Sequence, residues 1–497
     1  MRSFVFSGAV LLMILAGEAT PAVAQPATHP ATHPAMPDST LIDTEAAWQR
    51  VSAARDAAAQ DKHHDAVSDY LEALANDARL VPVVAKEIAY QKLWREDADK
   101  AIFYFHRHLA RHPEKENLDV KRGLALAYSW SGRQPEAVAL YQELATADPN
   151  DGGSRVGWGR SLIWNNQLNE GFQVLRQVED EFPADSAARQ QAHSFLLTYL
   201  DSYTTPLGFE AKVSLDSDDW DVYRVSGHAA FTVLGNKLAL FQPGYAAFRQ
   251  KGLLDINAPR LKAGLVGNLS HRWAFHAYGW VDFFRGEEPL PEMDDRLEWT
   301  QPGGDVWLTW LPAARWRVDF GANSQAVETW QALHHELHYE QANASVDWRF
   351  ARHWNVGLAG NLADYSDGNT KKRGKAHLRW KREGRWTLQV GPDLTYMDFT
   401  DAYPGGYWAP DWVRNGSLVA ILGTRGRRWT FQIDGSLGQE KEAGTEARTV
   451  GGGSLRLGWR YGTGAALVFQ GGYSKSALNQ DSGYARTFAA LNANFAF

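Results

Sequence analysis

Between Leu41 and Pro183 the apolar positions follow one template that returns at a spacing near 34 residues. A small residue is followed four positions later by a large apolar one: Ala66 with Tyr70, Ala101 with Phe105, Ala137 with Tyr141 and, in a degenerate copy, Gly171 with Leu175. Pro113, Pro149 and Pro183 stand twelve residues after the small residue, and Ala78, behind Asp77, holds that place in the first copy. Residues four apart share one face of a helix. Two antiparallel helices approach closely only where a small side chain sits at the crossing. The aromatic fills the gap beside it, and proline stops the second helix. This spacing predicts four helix pairs over residues 41–203, closed by a capping helix from Ser186 to Tyr203. From Pro206 the period shortens to two: Trp429, Phe431 and Ile433 alternate with Thr430, Gln432 and Asp434, and Trp386, Leu388 and Val390 with Thr387, Gln389 and Gly391. Strands of about ten residues, apolar on one face and polar on the other, are predicted through residues 206–497.

Alternation alone does not say which face is wet; the turns do. Short breaks fall near Gly235, Ser270, Pro312, Ala351, Glu383, Arg425 and Gly462, and five of them restart on a basic residue and tryptophan: Arg272-Trp273, Arg315-Trp316, His353-Trp354, Arg385-Trp386 and Arg428-Trp429. Longer connections lie between them, notably Arg285–Gly304, Gln325–Leu337, Asp364–Lys371 and Phe399–Trp412. Short turns on one side, long loops on the other and tryptophan at one depth describe a transmembrane β-barrel with an aromatic girdle. Seven short turns with both chain ends on the turn side require about sixteen strands, the last running from Tyr484 to Phe497.

The first residues change the setting. Met1-Arg2-Ser3, an apolar run from Phe4 to Ala16 and Ala22-Val23-Ala24 form the pattern of a secretory signal peptide over 1–24. Residues 25–40, rich in Pro, Ala, Thr and His, read as a linker in which His29 and His33 are solvated. Mean hydropathy is -0.41, which excludes a polytopic helical membrane protein. Zero cysteines exclude disulfides and thiol chemistry. Residues 25–205 carry 18 Lys and Arg against 26 Asp and Glu, residues 206–497 carry 32 against 31, and 16 of the 21 Trp lie in the latter. Neither half has the concentrated basic surface of a nucleic-acid binder.

If the apolar face meets lipid, the other face lines a lumen. The candidate lining residues are Tyr339, Asn343, Asp347, Arg349, Arg373, Lys375, His377, Arg379, Gln389, Asp393, Asp434 and Arg456. Mixed charge with amides and tyrosine suits a hydrated, hydroxyl-rich chain. Motifs for catalysis are scarce, and the chain reads as a non-enzyme without cofactor. His334-His335-Glu336-Leu337-His338 lacks the spacing of a zinc-protease helix and reads as a solvated external loop. Asp216, Asp218 and Asp219 lack the glycine and glutamate of a calcium loop.

The repeats resemble the tetratricopeptide repeat. That array before a barrel resembles the exopolysaccharide export porins, of the cellulose-export (BcsC-like) and poly-N-acetylglucosamine-export (PgaA-like) types, and the smaller YaiO-type barrels. Tyr365-Ser366-Asp367-Gly368-Asn369 and Gly406-Tyr407-Trp408-Ala409-Pro410 are similar to elements of those families. The resemblance implies an outer-membrane channel for a polysaccharide, with periplasmic repeats whose groove docks a protein partner. The alternative is a narrow or closed barrel that anchors the repeats. The expected fold is α+β multidomain, a helical solenoid followed by an antiparallel barrel.

Overall fold

The computed structural model describes residues 44–495 except 96, 114–116, 203–204, 234–236, 252–254, 271, 287–295, 314, 352, 383, 385, 403–405, 427, 463, 477 and 479–484. The signal peptide, the linker, Tyr484 and Phe497 lie outside the described residues. Among these, nine helices precede the barrel: α1 (Thr44–Ala59), α2 (His63–Asn76), α3 (Val81–Trp94), α4 (Ala98–Arg111), α5 (Leu118–Trp130), α6 (Gln134–Ala147), α7 (Gly152–Trp164), α8 (Leu168–Glu181) and α9 (Ala187–Ser202). They pack pairwise as tetratricopeptide-type repeats, with α9 against α8.

The small–large template is the core of this array. Ala66, Ala101, Phe105 and Ala137 are fully buried, and Tyr70 and Tyr141 nearly so. Pro113, Pro149 and Pro183 each follow a helix end by two residues. Where the first repeat lacks proline, Asp77 accepts from the Arg79 backbone N–H at 3.0 Å and starts a 3-10 turn over Ala78–Leu80. At the second and third joints the receiving half is glycine. A Cβ on Gly123 would lie 2.6 Å from the Phe105 ring, and one on Gly157 2.5 Å from Tyr141. Both glycines sit in the next helix pair, so the ring of one repeat locks into the backbone of its neighbour.

Sixteen strands follow: β1 (Leu207–Asp216), β2 (Trp220–Val233), β3 (Lys237–Gln250), β4 (Ile256–Ser270), β5 (Trp273–Gly286), β6 (Glu298–Ala313), β7 (Trp316–Ala326), β8 (His338–Ala351), β9 (Trp354–Tyr365), β10 (Thr370–Arg382), β11 (Trp386–Phe399), β12 (Trp412–Arg425), β13 (Trp429–Glu442), β14 (Arg448–Tyr461), β15 (Ala465–Lys475) and β16 (Arg486–Phe495). All neighbours are antiparallel, and β1 pairs with β16, Leu207 facing Phe495, to close the barrel. Closure leaves no unpaired strand edge, the condition for a sheet to span lipid. The seven short turns lie at one end, and β5, β7, β9, β11 and β13 each begin on the predicted tryptophan. Partners on adjacent strands complete the girdle: Trp273 stacks on Trp310 at 5.5 Å and Trp316 on Trp348 at 5.1 Å. Leu358, Leu394, Leu418 and Leu437 stand exposed on the outside, so the apolar face does point outward.

Two connections differ from expectation. Asp364 and Lys371 belong to β9 and β10, whose hairpin closes over residues 366–369, because the turn satisfies itself: Asp367 Oδ1 accepts from the Asn369 N–H, the Tyr365 carbonyl from the Gly368 N–H, and Asn369 Oδ1 from the Thr370 N–H. Residues Glu298–Gly304, expected in a loop, extend β6. The array is seated on the turn end of the barrel. Arg272 bonds Asp99 at 3.1 Å, Asn268 donates to the Trp164 carbonyl at 3.2 Å, and Leu196 and Tyr199 of α9 pack with Leu238 and Ala466.

Candidate functional site: a polar lumen under a folded-in loop

Strand alternation sends the expected polar residues to the inside of the wall. The densest group joins β8, β10 and β11. Asp393, buried, is shared by Lys375 at 3.0 Å and by the Arg379 guanidinium. His377 reaches Asp347 at 3.3 Å over β9, which carries glycine between them; a Cβ on Gly357 would sit 2.1 Å from the His377 ring. That close approach is the reason for the glycine. Beside this ion cluster runs an amide ladder: Gln341 donates to Asn343 at 2.7 Å, and Asn343 to Asn323 at 3.1 Å. Tyr339 accepts from Gln325, and Lys371 lies over the Tyr339 ring at 5.2 Å. Arg373, next to Asn361 in register, has no hydrogen-bonding or charged partner among the described residues.

The remaining candidates are not part of this cluster. Arg349 sits near the turn end, where its backbone N–H donates to Arg315. Gln389 lies opposite Lys381 and Ile421. Asp434 accepts from Ser454 on the far wall at 2.7 Å, and Arg456 stands between Gln432 and Gln470 in register.

A second charged group has no counterpart in the sequence reading. Arg260 grips Asp282 with two hydrogen bonds of 2.5 and 2.8 Å, and Glu328 pairs with Arg224 and reaches Arg260 at 4.0 Å. Arg224, Arg260 and Asp282 fall in the polar phase of β2, β4 and β5, a signal present in the alternation. Glu328 does not: it comes from the loop between β7 and β8.

That loop departs in part from the expectation of a solvated external segment around residues 334–338: His335 and Glu336 are exposed, but Ala332, Leu333 and His334 before them are not. It turns into the barrel mouth and forms a short helix, α10 (Trp330–His334), capped by Thr329, which accepts from the Ala332 N–H at 3.3 Å. Ala332 and Leu333 are 0% exposed. Leu333 packs with Trp220, Phe248 and Phe284 on one wall, and Ala332 with Tyr365, Met397 and Phe399 on the other. The lumen-facing positions near the far rim are apolar because this helix covers them. His334 is half-buried and its burial holds it below the ordinary imidazole range. No cluster of metal-ligating residues occurs among the described residues. Asp216 closes the β1–β2 turn by accepting from the Asp218 and Trp220 N–H groups.

The two stretches singled out by resemblance meet above α10. Tyr407 stacks on Tyr365 at 4.7 Å and 4°, donates to Asp367 at 3.0 Å and accepts from Asn369 at 3.0 Å. Burial, with the Asp367 carboxylate beside it, pushes the Tyr407 phenol up. Trp408 donates to Glu442 at 3.3 Å, the Thr329 hydroxyl donates to the Gly406 carbonyl, and Gln331 accepts from the Gly406 N–H at 3.1 Å. Residues 406–410 thus form a clasp between α10 and the rim.

Comparison with known proteins leaves the family open. No family model matches the chain, and no curated protein does. Among solved structures, a bacterial polysaccharide outer membrane secretin is similar at a TM-score of 0.48 and 12% identity, over 60% of this chain and 100% of that one. CdiB from Acinetobacter baumannii is similar at 0.37 and 9% identity, over 58% and 60% of the two chains. YrrB, a TPR protein with an unusual peptide-binding site, is similar at 0.26 and 19% identity, over 31% and 77%.

Proposed function

We propose that the protein is an outer-membrane conduit that passes an exopolysaccharide outward, with its repeats on the periplasmic side. On this reading residues 1–24 direct secretion, residues 25–40 are a linker, and the groove of the array docks a protein of the synthesis or modification machinery. The observation that carries it is a wall of amides, tyrosine and paired charges beneath a loop that closes the mouth from within. Such a wall exchanges hydrogen bonds with sugar hydroxyls, and most of its clustered charges, Lys375, Arg379 and His377 with Asp393 and Asp347, are tied to one another, so a neutral or weakly charged polymer slides past without being held. Barrels of this strand number enclose an aqueous channel unless something fills it. Here the far mouth is filled by α10, held through Glu328 and the clasp.

Opening therefore requires the loop to leave. Glu328→Gln removes the charge that binds it to Arg224 and Arg260, and about 1–2 kcal/mol of lost tether raises the open population roughly five- to thirtyfold. In planar bilayers the wild-type chain is expected to show rare openings and the variant frequent ones. In cells, deletion of the gene traps polymer in the periplasm; unchanged surface polymer refutes export. The buried α10 also favours a second reading, a closed barrel that anchors the repeats. That reading requires both wild type and Glu328→Gln to show no steady current.

A further inference from the structure

The lumen wall changes character on β5 and β6. The phase of β5 that carries Asp282 also carries His276, Tyr278 and Trp280, and in register with His276 the β6 strand turns Trp307 to the same side. These rings form one run along the wall: Trp307 lies 6.2 Å from His276, and His276 5.2 Å from Tyr278. The run leads from near the turn end toward Phe284, where Leu333 of α10 covers the wall. Below α10 no other part of the chain packs over these rings, although a barrel interior is ordinarily polar.

The seats of the rings are glycines of the neighbouring strands. An added Cβ would lie 2.7 Å from Trp307 at Gly321, 2.3 Å from Trp280 at Gly303 and 2.2 Å from Tyr278 at Gly264. At Gly321 the nearest atoms are Cδ2, Cε2 and Cε3 of the indole, so that ring rests face-on against the wall and turns its other face to the lumen. Glycine weakens a strand, and any β-branched side chain would cover the same backbone. Three glycines at these points let broad rings lie flat instead of standing across the channel. The free face of Trp280 is taken by Arg260 at 5.4 Å and Lys262 at 5.6 Å, while Trp307, His276 and Tyr278 are half-buried.

Hydrogen-bonding groups flank the run. Asp305, opposite Tyr278 in register, meets His276 at 3.3 Å. Beside Asp305 on β7 stands Asn323, the foot of the amide ladder through Asn343 and Gln341. On the other flank the Lys262 ammonium is held over the Tyr278 ring at 4.2 Å and forms no ion pair among the described residues.

We infer that this wall is a stacking track for the polymer, on which pyranose faces lie against Trp307 and Tyr278 while their hydroxyls reach Asp305 and the amide ladder. A hexopyranose with equatorial substituents carries its ring C–H bonds on two flat faces and its hydroxyls around the edge, the shape and polarity that this wall complements. Stacking on a ring has little directional demand, so a run of rings keeps a sliding chain against one wall without fixing its register. The inference rests on the reading of the barrel as a polysaccharide conduit, and adds to it which part of the lumen the polymer touches.

The test titrates hexamers of β-1,4-linked glucose and of β-1,4-linked N-acetylglucosamine into the full chain in mild detergent and reads binding by calorimetry. Wild type is expected to bind at least one of them. Trp307→Ala and Tyr278→Ala are each expected to weaken that binding about tenfold, and Trp307→Phe, which keeps a flat ring, to retain most of it. Phe275→Ala is the control, on the same strand but in the lipid-facing phase. Heat-modifiable mobility on gels shows that each variant is a closed barrel. Absence of binding to both hexamers overturns the track, as does equal binding by Trp307→Ala and Phe275→Ala. Binding that depends on Trp307 while gene deletion leaves surface polymer unchanged supports the track and removes export. Surface polymer lost on deletion but undiminished in a Trp307→Ala, Tyr278→Ala double variant overturns the track and leaves export standing.

Discussion

The repeat array and the barrel place their apolar side chains on opposite sides of the backbone, and small residues serve opposite ends in them. In the array, Gly123 and Gly157 are spaces filled by rings of the same chain, Phe105 and Tyr141. In the barrel wall, Gly360 and Gly374 are spaces that nothing in the chain fills. A helix pair is stable only when its own side chains close the interface. A barrel wall is finished by solvent, lipid outside and water or paired charges inside, and can leave such gaps open.

The strongest way to break the comparison is to open a joint of the array. Phe105→Ala is expected to cost about 3–5 kcal/mol, because the cavity lies between two helix pairs and cannot collapse. Tryptophan fluorescence during denaturant unfolding of the full chain should show the array melting early, while the heat-modifiable mobility of the barrel on gels stays unchanged. Loss of both together would mean that the two regions fold as one unit.

The next effect comes from inverting the barrel face. Leu394 is 60% exposed on the outside, and Leu394→Arg near the middle of the wall should destabilise insertion by about 2–4 kcal/mol. Equilibrium folding into lipid vesicles measures this. Leu109→Arg, on a partly buried array position, should leave vesicle insertion as it was.

Inside the lumen, Asp393→Ala leaves Lys375 and Arg379 without their shared carboxylate. With Lys375 partly exposed to lumen water, a cost of about 1–3 kcal/mol is expected. The same variant exposes fixed positive charge, so reversal potentials in a salt gradient should move toward anion selectivity.

The smallest effect belongs to pH and the first repeat. Hydrogen bonds from Arg79, and beyond them its charge, lower the Asp77 carboxyl from 3.8 to about 2. Its folded value lies below its unfolded one, so the stabilisation is present above about pH 4 and is lost as pH falls toward 2. Circular dichroism should show the array loosening over that interval, and Asp77→Asn should abolish the pH step while the 3-10 turn keeps a side-chain acceptor.

The early segments of this molecule were legible for local reasons. Four-residue spacing sets a helix face, proline cannot continue a helix, and a strand that crosses lipid must alternate. Ala66–Tyr70, Pro113, Trp273 and Trp316 therefore announce their places within windows of a dozen residues. The loop from Val327 to Leu337 is a different case. Its helix is only five residues long, too short for a period to show, and Glu328, Trp330 and Leu333 in sequence look like any external loop.

The chain order by itself determined the helix pairs, the sixteen strands, which face of each is apolar and the depth of the tryptophan girdle. All of these follow from the periodicity of one element and the chemistry of its own turn. Only the closed tertiary structure decided that α10 folds into the mouth, that Tyr407 clasps Tyr365, that Glu328 meets Arg224 and Arg260, and that Gly360 and Gly374 adjoin. Glu328 and Arg224 stand 104 residues apart, and partners at that distance exist only once the barrel has closed and brought its walls within reach of one another.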